Sequence, residues 1–210
     1  MNARSPIRLF PAVAEFLEKR RGEFDRIPSA RRAELETLAD HVRGRSRDGV
    51  RLTFICTHNS RRSHLSQIWA KIAADRLGVS NVETFSGGTE ATAMNPRVVE
   101  SLLRSGLRIE TPDEGSSNPH YAVSYSDDVP PLICFSKVYD SPPNPTAGYA
   151  AIMTCSSADQ ACPIVPGCEL RLPIRYEDPK SADDSPDEAA VYDERSAQIA
   201  REMLYAMSLV

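Results

Sequence analysis

Apolar positions recur along this chain with two periods, and the changes between them mark out its elements. Val50-Arg51-Leu52-Thr53-Phe54-Ile55 reads as a buried strand. Immediately after it, Leu65, Ile68, Trp69, Ile72 and Ala73 fall at i, i+3, i+4, i+7 and i+8. That spacing predicts an amphipathic helix from about Arg62 to Leu77, stopped at Gly78. Asn81 to Phe85 predicts a second strand. Asn95-Pro96 opens another helix with proline at its first position, with Val98, Val99, Leu102 and Leu103 inward and Gly106 as its stop. Tyr149 to Thr154 and Leu170 to Ile174 predict two more strands. Ser185-Pro186-Asp187-Glu188 has the form of a capping box with proline at the first helical position. Tyr192, Ser196, Ile199, Met203 and Ala206 then step by four, three, four and three along one inward face. Strand, helix, strand, helix implies a parallel sheet with right-handed crossovers. The expected fold is therefore α/β, a three-layer sandwich with a four-stranded, mostly parallel sheet.

Two segments fall outside that alternation. Residues 1–48 predict an N-terminal helical extension to a main domain at 49–210. Residues 11–21 carry Val13, Phe16 and Leu17 on one face, and Pro28-Ser29 starts a second helix with Ser29 as its N-cap. Leu35, Leu38, Ala39 and Val42 form its stripe, Gly44 its stop, and Arg43 to Arg47 a solvated basic linker. The pair is expected to pack on the main domain as a structural addition; a dimer or partner surface is the other reading. Residues 110–148 form an insertion punctuated by Pro112, Pro119, Pro130, Pro131, Pro142, Pro143 and Pro145. His120 to Tyr125 and Leu132 to Tyr139 predict a hairpin within it, and the insertion is either a lid or a partner site. Cys134 reads as a small buried hydrophobe.

Composition narrows the function classes. The 210 residues suffice for one full core, and 41% hydrophobic with 26% charged residues is ordinary for a globular chain. A net charge of −4 argues against a general nucleic-acid binder. Met1 to Pro11 lacks the apolar core of a secretory signal, and no run approaches a membrane span, so neither export nor a membrane partner is expected. Five cysteines cannot all pair within one chain. Free thiols without an export signal lead to a cytoplasmic expectation.

The chemistry concentrates in Cys56-Thr57-His58-Asn59-Ser60-Arg61-Arg62-Ser63, between the first strand and its helix. A helix N-terminus has free N–H groups and a partial positive charge, which favour a thiolate and a bound oxyanion. Arg62 adds a planar, permanently charged fork for two oxygens. The competing readings are an inert cysteine at a strand end and a surface arginine. Further on stand Phe85-Ser86-Gly87-Gly88-Thr89-Glu90, Asn95-Pro96, Cys155-Ser156-Ser157-Ala158-Asp159-Gln160-Ala161-Cys162-Pro163 and Glu177-Asp178-Pro179. With these segments the chain resembles the low-molecular-weight protein tyrosine phosphatase superfamily, including the thioredoxin-coupled arsenate reductases. The resemblance covers most of residues 50–208 and none of the first 45 or so.

What the resemblance implies is residue-specific. Cys56 would be the nucleophile and residues 57–63 the oxyanion cradle, comprising Thr57, His58, Asn59, Ser60, Arg61, Arg62 and Ser63. Asn59 would hold the loop's shape, and Ser63 would donate a hydrogen bond to the Cys56 sulfur. Asp178 would be the general acid. Cys155 and Cys162 would resolve the Cys56 intermediate and end as a disulfide reduced by thioredoxin. A helix would set those two about 10.5 Å apart, whereas a disulfide needs Cα atoms within about 7 Å, so the segment must loop or unwind. Without the relay they are two unconnected thiols in a phosphatase. No cofactor is implied, and a zinc site lacks a second close pair of ligands. Lys180 and Ser181 follow Asp178-Pro179 where the phosphatases often carry aromatic residues to grip a phenyl ring. Arg61 stands where small residues or cysteine are more usual, adding potential or pointing outward. His58 either raises the cradle's potential or is a plain loop histidine; His41, His64 and His120 share no ligand spacing. Cys168 is a spare thiol or a competitor in exchange. The expected function is arsenate reduction. The alternatives are hydrolysis of phosphomonoesters through a phosphocysteine, or a non-catalytic redox sensor or phosphoprotein-binding module.

Overall fold

A computed structural model of the chain describes residues 6–45, 49–111, 113, 115–162 and 164–210. Strands β1 (Val50–Cys56), β2 (Val82–Gly88), β6 (Tyr149–Met153) and β7 (Cys168–Pro173) form one sheet in the order β2-β1-β6-β7. All three pairings are parallel, with Val50 beside Val82, Cys56 beside Gly88 and Ile55 beside Met153. This is the expected four-stranded sheet. β1 is central and buried on both faces except at Arg51, which is why its sequence reads as an almost continuous apolar run.

The two faces of the sheet are covered unequally. On one, Val50, Leu52, Phe54, Ala150 and Ile152 meet helices α3 (Arg62–Leu77) and α6 (Glu188–Ser208). Trp69 at the centre of α3 is fully buried, stacks on Phe16 at 4.9 Å and donates to Ser196 Oγ of α6 at 2.9 Å. Helices α1 (Pro11–Arg21), α2 (Ser29–Arg45) and α4 (Pro96–Arg104) join this same core through Val13, Leu17, Leu35, Leu38, Val42, Val98 and Leu102. The N-terminal helices are thus packed on α6. On the opposite face Ile55, Tyr149, Ala151 and Met153 are covered mainly by the six-residue α5 (Ser156–Ala161) and its flanking loops. The third layer of the sandwich is therefore thin, and it is the layer that carries Cys155 and Cys162.

Several boundaries differ from expectation. Ser29 is the first helical residue of α2, and the carbonyl of Pro28 accepts the first helical bond, from Arg32 N–H at 2.9 Å. Gly44 lies inside α2 rather than ending it. The rest of the expected basic linker through Arg47, the 48/49 boundary, Met1 to Ser5, Pro112 and Pro163 lie outside the described residues. The capping box does not form. α6 begins at Glu188, whose carboxylate is taken by Asp184 N–H and by Arg97 of α4, both at 2.6 Å, while the Ser185 hydroxyl donates to Ala182 O at 2.8 Å. A tertiary partner, Arg97, and a shifted local bond to Asp184 replace the expected cap.

The insertion contains the expected pairing, and a strand that leads into it adds a third. β3 (Arg108–Glu110), β4 (Tyr121–Ser124) and β5 (Leu132–Cys134) form a separate antiparallel sheet. β5 stops at Cys134 because the next residues turn to the main sheet, where Lys137 O accepts from Gly88 N–H at 2.8 Å and Val138 bridges Gly88 in parallel. Cys134 is buried, as its apolar surroundings implied. Among the described residues no helix is long and apolar enough to cross a membrane.

Candidate active site

Residues 57–61 turn the chain from the end of β1 into the first turn of α3. Asn59 takes a left-handed backbone, φ +45°, and is fully buried. Its amide donates to Ser63 Oγ at 2.9 Å, and its Oδ1 accepts from Lys137 N–H at 2.9 Å. Because Ser63 Oγ receives the Asn59 hydrogen, its own hydroxyl is free to donate to Cys56 Sγ, 3.1 Å away. His64 fixes the other side of Asn59. Its Nε2 lies 2.9 Å from Asn59 O, which can only accept, so Nε2 carries the hydrogen and Nδ1 accepts from Ser86 Oγ at 3.2 Å. Burial, with the charge of Lys137 second, pushes the His64 pKa down to about 3 and keeps the ring neutral.

The rest of the loop is pinned by its carbonyls. Cys56 O and Thr57 O accept from Thr89 and Glu90 N–H at 3.1 and 3.0 Å, and Ser60 O from Asn95 N–H at 2.9 Å. His58 O accepts from the hydroxyls of Thr92 and Ser136, both at 3.0 Å. Gly88 is required by this close approach: a Cβ there would lie 2.6 Å from Thr57 O and 2.7 Å from Asn59 N. The carbonyls of residues 56–60 are thus each engaged by a donor from outside the loop or from α3.

Arg62 and Asp178 meet over Cys56. Arg62 Nη2 donates to Asp178 Oδ2 at 2.5 Å, and Nη1 to Tyr176 O at 3.0 Å. Asp178 Oδ1 accepts from Lys180 N–H at 3.1 Å, capping the short 3-10 turn Pro179–Ala182. The space among Cys56, His58, Ser60, Arg61, Arg62 and Asp178 is then only about 10 Å³, barely one water. The Arg62–Asp178 pair is what closes this space. Beside Asp178 lies an open cleft of about 670 Å³, lined by Glu177, Asp178, Lys180, Ser181, Val191 and Arg195, with no aromatic wall.

Two cradle residues have other engagements. Arg61 points its guanidinium to Tyr192 OH at 2.7 Å and Asp183 at 3.0 Å, so it braces the loop against α6. His58 pairs with Glu90 at 3.0 Å, both half-exposed. Thr57 Oγ1 lies 3.6 Å from Cys155 Sγ and links the loop to the thin layer. Cys155 is buried and caps α5 by accepting Ala158 N–H at 3.3 Å; Cys162 follows the helix at its other end, half-buried. Arg171 of β7 grips that end, donating to Cys162 O at 3.0 Å and to both Asp159 O and Oδ1 at 2.6 Å. With α5 wound, Cys155 and Cys162 stand roughly 10 Å apart, beyond bridging distance. Cys168 is half-buried at the start of β7, and burial raises its thiol pKa.

Sequence reasoning missed His64, Ser136 and Lys137. His64 carried a signal in its position directly after the loop. The other two sit in the insertion, and nothing local tied them to a loop some 78 residues away.

The profile of the low molecular weight phosphotyrosine protein phosphatase family matches residues 51–122. An arsenate reductase of Brevibacillus brevis is 30% identical over 148 residues, 70% of this chain and 90% of that protein. Arsenate reductase 2 of Staphylococcus epidermidis is 29% identical over 133 residues, 63% and 80% of the two chains. In three dimensions a low molecular weight protein tyrosine phosphatase from T. tengcongensis superposes with a TM-score of 0.51 at 17% identity, over 77% of this chain and all of that one. That likeness is one of fold. With the β1–loop–α3 unit inside the matched segment and a relative aligned over nine-tenths of its own length, the chain belongs to the low-molecular-weight phosphotyrosine protein phosphatase family.

Proposed function

We propose that this protein reduces arsenate to arsenite with a Cys56 thiolate and a Cys155/Cys162 relay. The observation that carries this reading is the position of Cys155, joined to the nucleophile's loop through Thr57 at 3.6 Å, with Cys162 at the far end of α5. Arsenate displaces Asp178 from Arg62 and takes the loop amides and the Arg62 fork. Cys56 attacks arsenic, and the departing hydroxide leaves as water with a proton from Asp178. Cys155, as thiolate, attacks the Cys56 sulfur. The sulfur–arsenic bonding pair goes to arsenic, which leaves as arsenite in the +3 state, and a Cys56–Cys155 disulfide remains. Cys162 then attacks Cys155 and frees Cys56, and a dithiol such as thioredoxin reduces the Cys155–Cys162 bond. The last step requires α5 to unwind. The cleft beside Asp178, lined mainly by charged side chains and by no aromatic ring, suits a small hydrophilic oxyanion better than a phenyl ester.

Hydrolysis of phosphomonoesters is the second reading, favoured by the fact that Cys56, Ser63, Arg62 and Asp178 form a complete set without the other thiols. Arsenate-dependent NADPH consumption with thioredoxin and its reductase separates the two. Turnover lost in Cys56→Ser, Cys155→Ser and Cys162→Ser is expected. Unimpaired turnover in Cys155→Ser would overturn the relay, and phosphate release dependent on Cys56 alone would make the protein a phosphatase.

A further inference from the structure

Arg62 and Asp178 are held by each other and by the chain at 175–178, and the outer edge of that chain is tied to the N-terminal helices. The inner edge is fixed to β6, with Ile174 and Tyr176 N–H donating to Met153 and Thr154 O, both at 3.1 Å. The outer edge is fixed by Arg31, in the first turn of α2. One Arg31 nitrogen donates to the carbonyl of Arg175. Its Nη1 binds Glu34 at 2.5 Å, its Nε lies 3.4 Å from Glu202 Oε2 of α6, and its guanidinium lies 5.3 Å from the centroid of the Tyr176 ring. Tyr176 is buried, and its carbonyl is the one that Arg62 Nη1 holds at 3.0 Å. Glu202 is 2% exposed, and its charge is matched there by Arg31.

A single guanidinium thus touches α2, α6 and the segment that presents the acid. A cation over an aromatic ring, a carbonyl bond and a carboxylate pair at one site suit the broad fork of arginine better than the single point charge of lysine. We infer that Arg31 is a positioning residue for the active site, setting the Tyr176 carbonyl and hence Arg62 and Asp178 through the N-terminal helices. This rests on Arg62 as anion ligand and Asp178 as acid, roles shared by the reductase and phosphatase readings.

The test compares the wild-type chain with Arg31→Met and with the double variant Arg31→Met/Glu202→Gln, which leaves no unmatched buried carboxylate and so protects folding. Two quantities are read: amide hydrogen exchange along 175–178, and turnover of arsenate and of an aryl phosphate. In the double variant, exchange at 175–178 is expected to speed at least about tenfold while β1 and α3 stay within about twofold. For whichever oxyanion is turned over, kcat should fall about tenfold with KM within about twofold, as a misplaced acid predicts. Wild-type exchange at 175–178, or faster exchange spread evenly over the whole chain, would overturn the inference. If the wild-type protein turns over neither oxyanion, the proposed function fails, while the exchange measurement still decides the role of Arg31.

Discussion

Asn59 shows how much one side chain carries in this site. Its left-handed backbone shapes the loop, its amide orients Ser63, and its oxygens anchor Lys137 and His64. His64 makes that arrangement sensitive to acid. Its folded pKa of about 3 lies below the 6.5 of the free side chain, so between those values the unfolded chain binds the extra proton. Stability is therefore full above pH 6.5 and is lost as pH falls toward 3, by up to about 5 kcal/mol for complete burial of the neutral ring. Urea midpoints at pH 7 and pH 4 should draw together in His64→Gln, which titrates nothing; an unchanged gap would refute this. Asp178 sets a second expectation. In Asp178→Asn the ion pair that closes the cradle is weakened, so inorganic phosphate or arsenate should bind more tightly by calorimetry while turnover falls about 10²- to 10⁴-fold. Weaker binding would mean that Asp178 does not compete for Arg62. That Cys56, Arg62 and Ser63 stand together was legible because the loop is contiguous in sequence. His64 was not, since the partner that explains its ring, Ser86, stands 22 residues away.

At the scale of elements, α5 is the weak point. It has six residues, and its ends are satisfied by Cys155 Sγ on one side and Arg171 on the other. Removing Arg171 as Arg171→Leu frees carbonyls that only the wound helix presents to it. A lost charge-assisted bond costs about 1.5–3 kcal/mol, and 1.4 kcal/mol equals about 30 mV for a dithiol couple. Under the proposed relay, the Cys155–Cys162 disulfide of that variant should be about 30 mV or more harder to reduce in glutathione or thioredoxin buffers. An unchanged potential would show that α5 keeps its grip in the oxidised form. The long elements were legible in the sequence because their periodicity is strong, as in α3 and β1. The start of α6 was misread because Glu188 is claimed by Arg97 from α4 and by the Asp184 N–H, one residue before the expected Ser185 cap. β3 was missed because a three-residue edge strand exists only by pairing with β4.

For the whole molecule, the N-terminal helices are part of one core. Val13, Leu17, Leu35, Leu38 and Val42 are at most 2% exposed and pack with the residues that α6 and the sheet bury. Uncovering five such side chains costs roughly 10 kcal/mol, comparable to the total stability of about 5–15 kcal/mol for a domain. A chain lacking residues 1–45 should therefore show no cooperative thermal transition by circular dichroism, and a normal melt would contradict this. Sequence placed these helices on the main domain from their stripes, but could not show that their first turn reaches the acid segment, since Arg31 and Arg175 are 144 residues apart. The water-sized gap over Cys56 has a consequence of another kind. Cys56, a residue only 4% exposed and behind a closed Arg62–Asp178 pair, is shielded from peroxide and from alkylating reagents alike. At saturating iodoacetamide its labelling rate becomes a clock for how often the resting protein opens, readable without any substrate.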